Sequence, residues 1–223
     1  MTVRLISSAP HASPRAARVA PTRARRLVTL VGACLLLGAC ASSPDVRFFT
    51  LRPVDAPPPT EASASDASIV VAPIEVPKAL DRPQLVSLVG EQELFIDDFA
   101  RWGEPLPGML TRLLADDLAR LLGTSRVVVV DSPSPRIESS YTRVAIVVTR
   151  LDAVPGSHLL FEARGAVTHA EGGKAPFAFA REIPWSDARP LGLVTALQRA
   201  LDELAQQVAD AVRSTTGSTT LGG

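Results

Sequence analysis

Three stretches of alternating and β-branched residues, Tyr141–Leu151, His158–Ala170 and Pro176–Ile183, follow one another directly in this 223-residue chain. No other feature constrains the fold as much. They are joined by Pro155-Gly156-Ser157 and by Glu171-Gly172-Gly173-Lys174, both composed of turn formers. Consecutive strands with tight turns form an antiparallel meander. Such a sheet has an apolar face to cover, and two amphipathic segments can cover it. In the first, Leu106, Met109, Leu110, Leu113, Leu114, Leu118, Leu121 and Leu122 recur at spacings of three and four. Pro105 opens it and Gly123 closes it. Its other side, with Arg112, Asp116, Asp117 and Arg120, reads as a solvated face. The second segment runs from Pro190 to Arg213 and carries Leu193, Leu197, Leu201, Leu204, Val208 and Val212 as its stripe.

Further strands are predicted upstream. Arg47–Leu51 is aromatic and short. Ser68–Val76 is β-rich, and Pro73 argues for an edge or a bulge there. Leu85–Val89 and Glu93–Ile96 flank Gly90-Glu91-Gln92 as a hairpin, and the unbroken run Arg126–Val130 reads as a strand buried on both sides. Six or seven strands and two one-sided helices imply an α+β layered sandwich: a mixed, largely antiparallel sheet packed by two main helices. Between the first two strands, residues 52–68 are rich in Pro, Ala, Ser and Thr and read as a flexible loop. The Ser-, Thr- and Gly-rich residues 214–223 read as a disordered tail.

The N-terminal region is an address rather than part of the fold. Arg23, Arg25 and Arg26 precede an apolar run, Leu27–Leu37, that is too short for the roughly 20 residues a membrane span needs. Behind it stands Leu37-Gly38-Ala39-Cys40, which resembles a bacterial lipobox. Cleavage between Ala39 and Cys40 would remove residues 1–39 and leave a lipidated cysteine as the new N-terminus, with residues 40–46 as a tether. Val31-Gly32-Ala33-Cys34 is a second such string, but cutting there would nearly halve the apolar run. Residues 1–22 either extend the signal or lie upstream of a later start such as Val19.

Processing also resets the charge. Six arginines and no acids leave with the signal, so 17 basic groups remain against 23 acidic ones, about −6. That balance argues against a nucleic-acid partner and against electrostatic adhesion to anionic lipid. Acyl chains must therefore do the anchoring, at about 0.8 kcal/mol for each buried methylene. Cys34 departs with the signal and Cys40 is acylated, so neither a disulfide nor a cysteine-ligated metal is expected. No HExxH, GxSxG, Walker loop or dinucleotide turn occurs, and neither an enzyme nor a cofactor is expected. Asp97-Asp98 reads as a solvated turn, and a hydrolase reading would require Asp97, His158 and His169 to share a cleft.

Four stretches carry a family resemblance. Phe48-Phe49-Thr50-Leu51, Val71–Pro77, Leu80–Val86 and Phe99–Leu106 follow one another, behind the lipobox, in the order and spacing of the PqiC (YmbA) family. Those proteins are auxiliary lipoproteins of ABC-type and MCE-domain transport systems. The resemblance covers nearly the whole processed chain and implies one domain over residues 47–213. It further implies a non-catalytic, outer-membrane-anchored lipoprotein facing the periplasm. Its partners would be an MCE-domain protein and the inner-membrane complex from which that protein spans the periplasm, in a system that moves lipid or other apolar cargo; homo-oligomerisation fits such a placement. Ala41 agrees with outer-membrane sorting, since an aspartate directly after the lipidated cysteine would favour inner-membrane retention. The other class of function is a carrier that holds a hydrophobic ligand between sheet and helices.

Two of these stretches contain candidate docking residues. Asp81 and Arg82, among turn formers, are either a partner-docking loop or a local ion pair at a strand entry. Arg101 and Trp102 either present an aromatic hot spot or belong to a helix entry, with Trp102 packed beneath the helix and Glu104 at its positive end.

Overall fold

The computed structural model describes residues 44–55, 57, 68–130, 140–170 and 172–219. The chain divides into Met1–Pro44 and Asp45–Gly223, and the fold is that of the second unit. Ala39 and Cys40 lie outside the described residues.

The meander is the centre of the larger sheet. Strands β6 (Tyr141–Val154), β7 (His158–His169) and β8 (Lys174–Pro184) pair antiparallel, with Val154 opposite His158 and Thr168 opposite Lys174. On the far side of β6, β2 (Ser68–Val71) runs parallel to it, and β5 (Val127–Val129) runs parallel to β2. The order is β5-β2-β6-β7-β8. Pro73 does not put β2 on an edge but marks the other feature expected of it, a bulge: Val71 lies opposite Val144 and Glu75 opposite Val147, four residues of chain on one side against three on the other. Between them, Ala72 N–H still donates to Val144 O and Ile74 N–H turns to the Thr111 hydroxyl at 2.9 Å. One expectation about these short strands fails: β5 is not buried on both sides. It is the sheet edge, with Val128 and Val129 more than 40% exposed; β-branching favours an extended chain wherever it lies and does not itself dictate burial.

A second, three-stranded sheet has the order β1-β4-β3. Here β3 (Gln84–Val89) and β4 (Glu93–Trp102) form the expected hairpin, closed at Gly90 with φ 67°. Short β1 (Arg47–Phe49) lies parallel to the end of β4, pairing Arg47 with Ala100 and Phe49 with Trp102. Asp97 and Asp98 sit at a strand irregularity rather than a turn. Register slips between Gln84 and Leu85, and the Asp97 carboxylate accepts the displaced N–H groups of Phe99 and Ala100. The fold is thus α+β, its strands divided between two sheets.

Helices α1 (Leu106–Leu122) and α2 (Pro190–Thr219) supply the cover. Leu110, Leu113, Leu114 and Leu118 of α1, with Leu197, Leu201 and Leu204 of α2, are fully buried, each contributing about 1.5–3 kcal/mol. From the sheet, Phe161 and Phe179 join this core, packed edge to face against each other with ring centroids 5.8 Å apart. Gly123, at φ 66°, ends α1 in the left-handed conformation that glycine adopts without penalty. Helix α2 outlasts its expected end at Arg213 and continues to Thr219, into the stretch read as tail. The hydroxyls of Ser214 and Thr215 donate to carbonyls one turn back, including Ala211 O, so these poor helix formers satisfy their polar groups within the helix. Among the described residues no helix is long and apolar enough to cross a membrane.

Two helical glycines make a paired prediction. A Cβ on Gly108 meets nothing, whereas one on Gly192 would overlap the Trp185 indole and the Asp187 carbonyl. Gly108→Ala is expected to stabilise the domain by about 0.5–1 kcal/mol. Gly192→Ala should destabilise it by about 1–3 kcal/mol, because backbone must shift. Urea midpoints of both variants measure the difference in sign.

Candidate functional site

The irregular register of the small sheet brings the two motifs together. Gln84 pairs with Arg101, Trp102 N–H donates to Pro83 O at 2.7 Å, and Gly103 N–H donates to Phe49 O at 2.8 Å. Residues from three distant stretches therefore meet where the small sheet enters α1. Trp102 is only 6% exposed. Around it stand Leu80, Val86, Leu106, Leu151, Leu193 and Leu197, leaving a space of about 10 Å³, room for about one water. An exposed hot spot at Trp102 is thus not what the fold presents; its ring holds helix to sheet.

The other candidates remain at the surface. Asp81 is exposed, while Arg82 and Arg101 are half-buried. No ion pair joins Asp81 to Arg82 among the described residues; the Arg82 N–H donates to Leu80 O and its buried Nε has no hydrogen-bond partner. Arg101 Nε donates to Asp98 O at 3.3 Å. Glu104 pairs with Arg112, two turns into α1, and Arg112 also approaches Asp116 at 3.6 Å. These pairs keep the helix entry charged and solvated without holding the candidate residues themselves.

A second constellation was not visible in the sequence. The chain leaving β1 crosses both helices, and side chains grip its backbone. The Gln198 amide accepts from Arg52 N–H and donates to Arg52 O, both at 2.8 Å, and also donates to Asp202. Asp117 accepts from Val54 N–H at 2.6 Å. Residues 52–54, expected to open a flexible loop, are therefore fastened at two points; residue 56 and residues 58–67 of that loop lie outside the described residues.

Asp117 itself corrects the reading of a solvated face, since it is fully buried and its second oxygen has no partner. Burial pushes its carboxyl up to about 6; the Val54 N–H and Arg120 pull the other way, while Asp202 and Asp116 add to the rise. Burial likewise raises Asp202, against the Gln198 hydrogen bond. A signal existed for Asp117, because it stands four residues after Leu113 and so borders the apolar stripe.

The histidines do not assemble a cleft. His158 Nδ1 lies 2.9 Å from the Ser157 hydroxyl and His169 Nδ1 lies 2.8 Å from that of Thr142. They occupy opposite ends of β7, about 36 Å apart at strand rise. Asp97, His158 and His169 therefore cannot share one site. Among the described residues no group of three His, Cys, Asp or Glu side chains could hold a metal.

Residues 49–209 match the family model described as the ABC-type transport auxiliary lipoprotein component. The chain belongs to that family. Its resemblance to PqiC (YmbA) proteins thereby stands, and three of the four signature stretches, Phe48–Leu51, Leu80–Val86 and Phe99–Leu106, meet at the sheet–helix junction around Trp102. The auxiliary lipoprotein fold recurs in solved structures. One, a crystal structure titled only as an uncharacterized protein, superposes with TM-score 0.61 at 15% identity, over 76% of this chain and 99% of its own. Another, a protein of Xanthomonas campestris, superposes with TM-score 0.56 at 17% identity, over 78% and 99%. At such identities the likeness is one of fold. No curated protein matches significantly.

Proposed function

We propose that this auxiliary lipoprotein is held in the outer membrane through Cys40 and docks or gates the MCE-domain component that spans the periplasm in an intermembrane lipid transport system. It would act by position rather than by catalysis. The observation that carries the subunit reading over the carrier reading is the packing between sheet and helices. Where a carrier would hold its ligand, beside Trp102, side chains leave about 10 Å³. One feature favours the carrier, an open groove of about 250 Å³ bounded by Leu85, Phe95, Pro155, Trp185 and Leu193. On the subunit reading, Asp81, Arg82 and Arg101 form the docking surface, presented by the rigid junction beneath them.

Affinity capture of the lipidated full-length protein from gently solubilised membranes tests this directly. Recovery of an MCE-domain protein is expected, and capture of none would count heavily against docking. Cys40→Ala is expected to move a folded domain from the membrane to the soluble periplasmic fraction and to impair transport, since the two acyl chains needed for stable attachment are lost. Fractionation with a transport assay measures both. Phospholipid co-purifying with the released domain, alongside normal transport, would put the carrier reading ahead.

A further inference from the structure

We propose that the β3–β4 hairpin is a second membrane contact, the apolar side chains just behind its turn entering the surface of the same bilayer that holds the lipidated cysteine. This rests on the reading of Cys40 as acylated. In a strand, successive side chains point to opposite faces, so a hairpin lying on a core buries every second residue. This one does not. Leu94, Phe95 and Ile96 are consecutive, and all three are 37–54% exposed; Phe99 and, across the turn, Val89 are exposed as well. Both faces of the outer hairpin therefore carry uncovered apolar side chains, while its base is anchored in the core through Leu85, Val86 and Ala100. Exposed apolar surface of this kind marks a site of interaction.

Chain direction says what lies within reach. Because β1 is parallel to β4, with Arg47 opposite Ala100, the N-terminal end of β1 faces the turn of the hairpin. Cys40 precedes Arg47 by the same number of residues as Glu93, the first residue of β4, precedes Ala100. The intervening links can carry Cys40 no further than about 25 Å from Arg47. An anchor on so short a leash holds the domain close to the bilayer, and β1 is oriented to present the hairpin tip to it. Charge excludes an electrostatic contact. Between Arg82 and Arg101 there is no lysine or arginine, and Glu91, Glu93 and Asp98 are exposed. Insertion must then be apolar, independent of anionic lipid and of salt. Its role would be to orient the domain, giving it a fixed attitude toward the membrane.

The test uses the lipidated full-length protein in phosphatidylcholine vesicles whose acyl chains are brominated, which quenches an indole only at close approach. Phe95→Trp, Leu94→Trp and Phe99→Trp are compared with the parent protein, whose Trp102 and Trp185 are both buried. Insertion to the 5–10 Å typical of interfacial segments should cost the indoles at positions 94 and 95 about half or more of their emission. The indole at position 99, about 13 Å further along the strand from position 95, should lose much less. Adding phosphatidylglycerol or salt should change neither value. Vesicle-bound protein with no quenching at 94 or 95 overturns the proposal. So does an emission blue shift there that follows protein density rather than lipid, which would assign the hairpin to a second copy of the chain. Protein that fails to float with vesicles overturns the reading of Cys40 as the anchor, and this proposal with it, a result distinct from bound but unquenched protein.

Discussion

Trp102→Ala is expected to destabilise the domain by about 3–5 kcal/mol, a large share of the 5–15 kcal/mol that holds a typical domain together. The indole is buried among Leu80, Val86, Leu106, Leu151, Leu193 and Leu197, residues of a loop, β3, α1, β6 and α2. Five elements of chain cannot all collapse into the space left by one ring, so most of the cavity persists and its cost is paid in full. Asp81→Ala and Arg101→Ala, at the surface of the same junction, should alter stability by no more than about 0.5 kcal/mol. If these two form the docking surface, they should lower recovery of the MCE-domain protein while leaving the fold intact. Urea unfolding alongside affinity capture separates the roles. A Trp102→Ala protein with an unchanged midpoint would show that the ring does not bridge sheet and helix.

Asp117→Asn should produce the second large effect, and in the opposite direction. The Asp117 carboxyl is buried and pushed up from 3.8 to about 6. Its contribution to stability is therefore complete below about pH 4, where it is protonated both folded and unfolded, and is lost as pH rises through 6. By neutral pH the buried charge costs about 2 kcal/mol, allowing for some screening by solvent. Asparagine keeps an oxygen for the Val54 N–H and cannot ionise. The unpaired amide N–H it introduces costs the same at every pH, so the variant should fall below the parent by up to about 1 kcal/mol near pH 4 and exceed its stability by about 1–2 kcal/mol at pH 7. Asp117→Ala also removes the acceptor for Val54 and should gain less. Urea midpoints of parent and variant across this range give the difference curve; a flat difference would mean that Asp117 does not titrate there.

Local chemistry was legible in the sequence where neighbours in the chain are neighbours in space. Pro105 and Gly123 bound α1 because the constraints they impose act within one turn. Gly90 and Pro155-Gly156-Ser157 announced the hairpin and the β6–β7 turn for the same reason. The tail after Arg213 misled because composition reports intrinsic preference, while a long helix already docked along Leu197, Leu201, Leu204 and Val208 extends through Ser214 and Thr215 at little further cost. Asp117 was hidden by its type, since a carboxylate reads as solvated unless the partner that covers it is known.

From residues alone come the α+β class, the meander, both helices with their apolar stripes and the family signature. Only the tertiary structure decided that the strands divide into two sheets, that β2 and β5 run parallel beside β6, that Trp102 faces inward, and that the β3–β4 hairpin leaves both faces bare. Each of these depends on contacts between residues far apart in the chain. Hydrophobic burial drives such contacts without naming a partner, so the pattern of apolar residues says that a surface must be covered, and only the folded chain shows which ones were not.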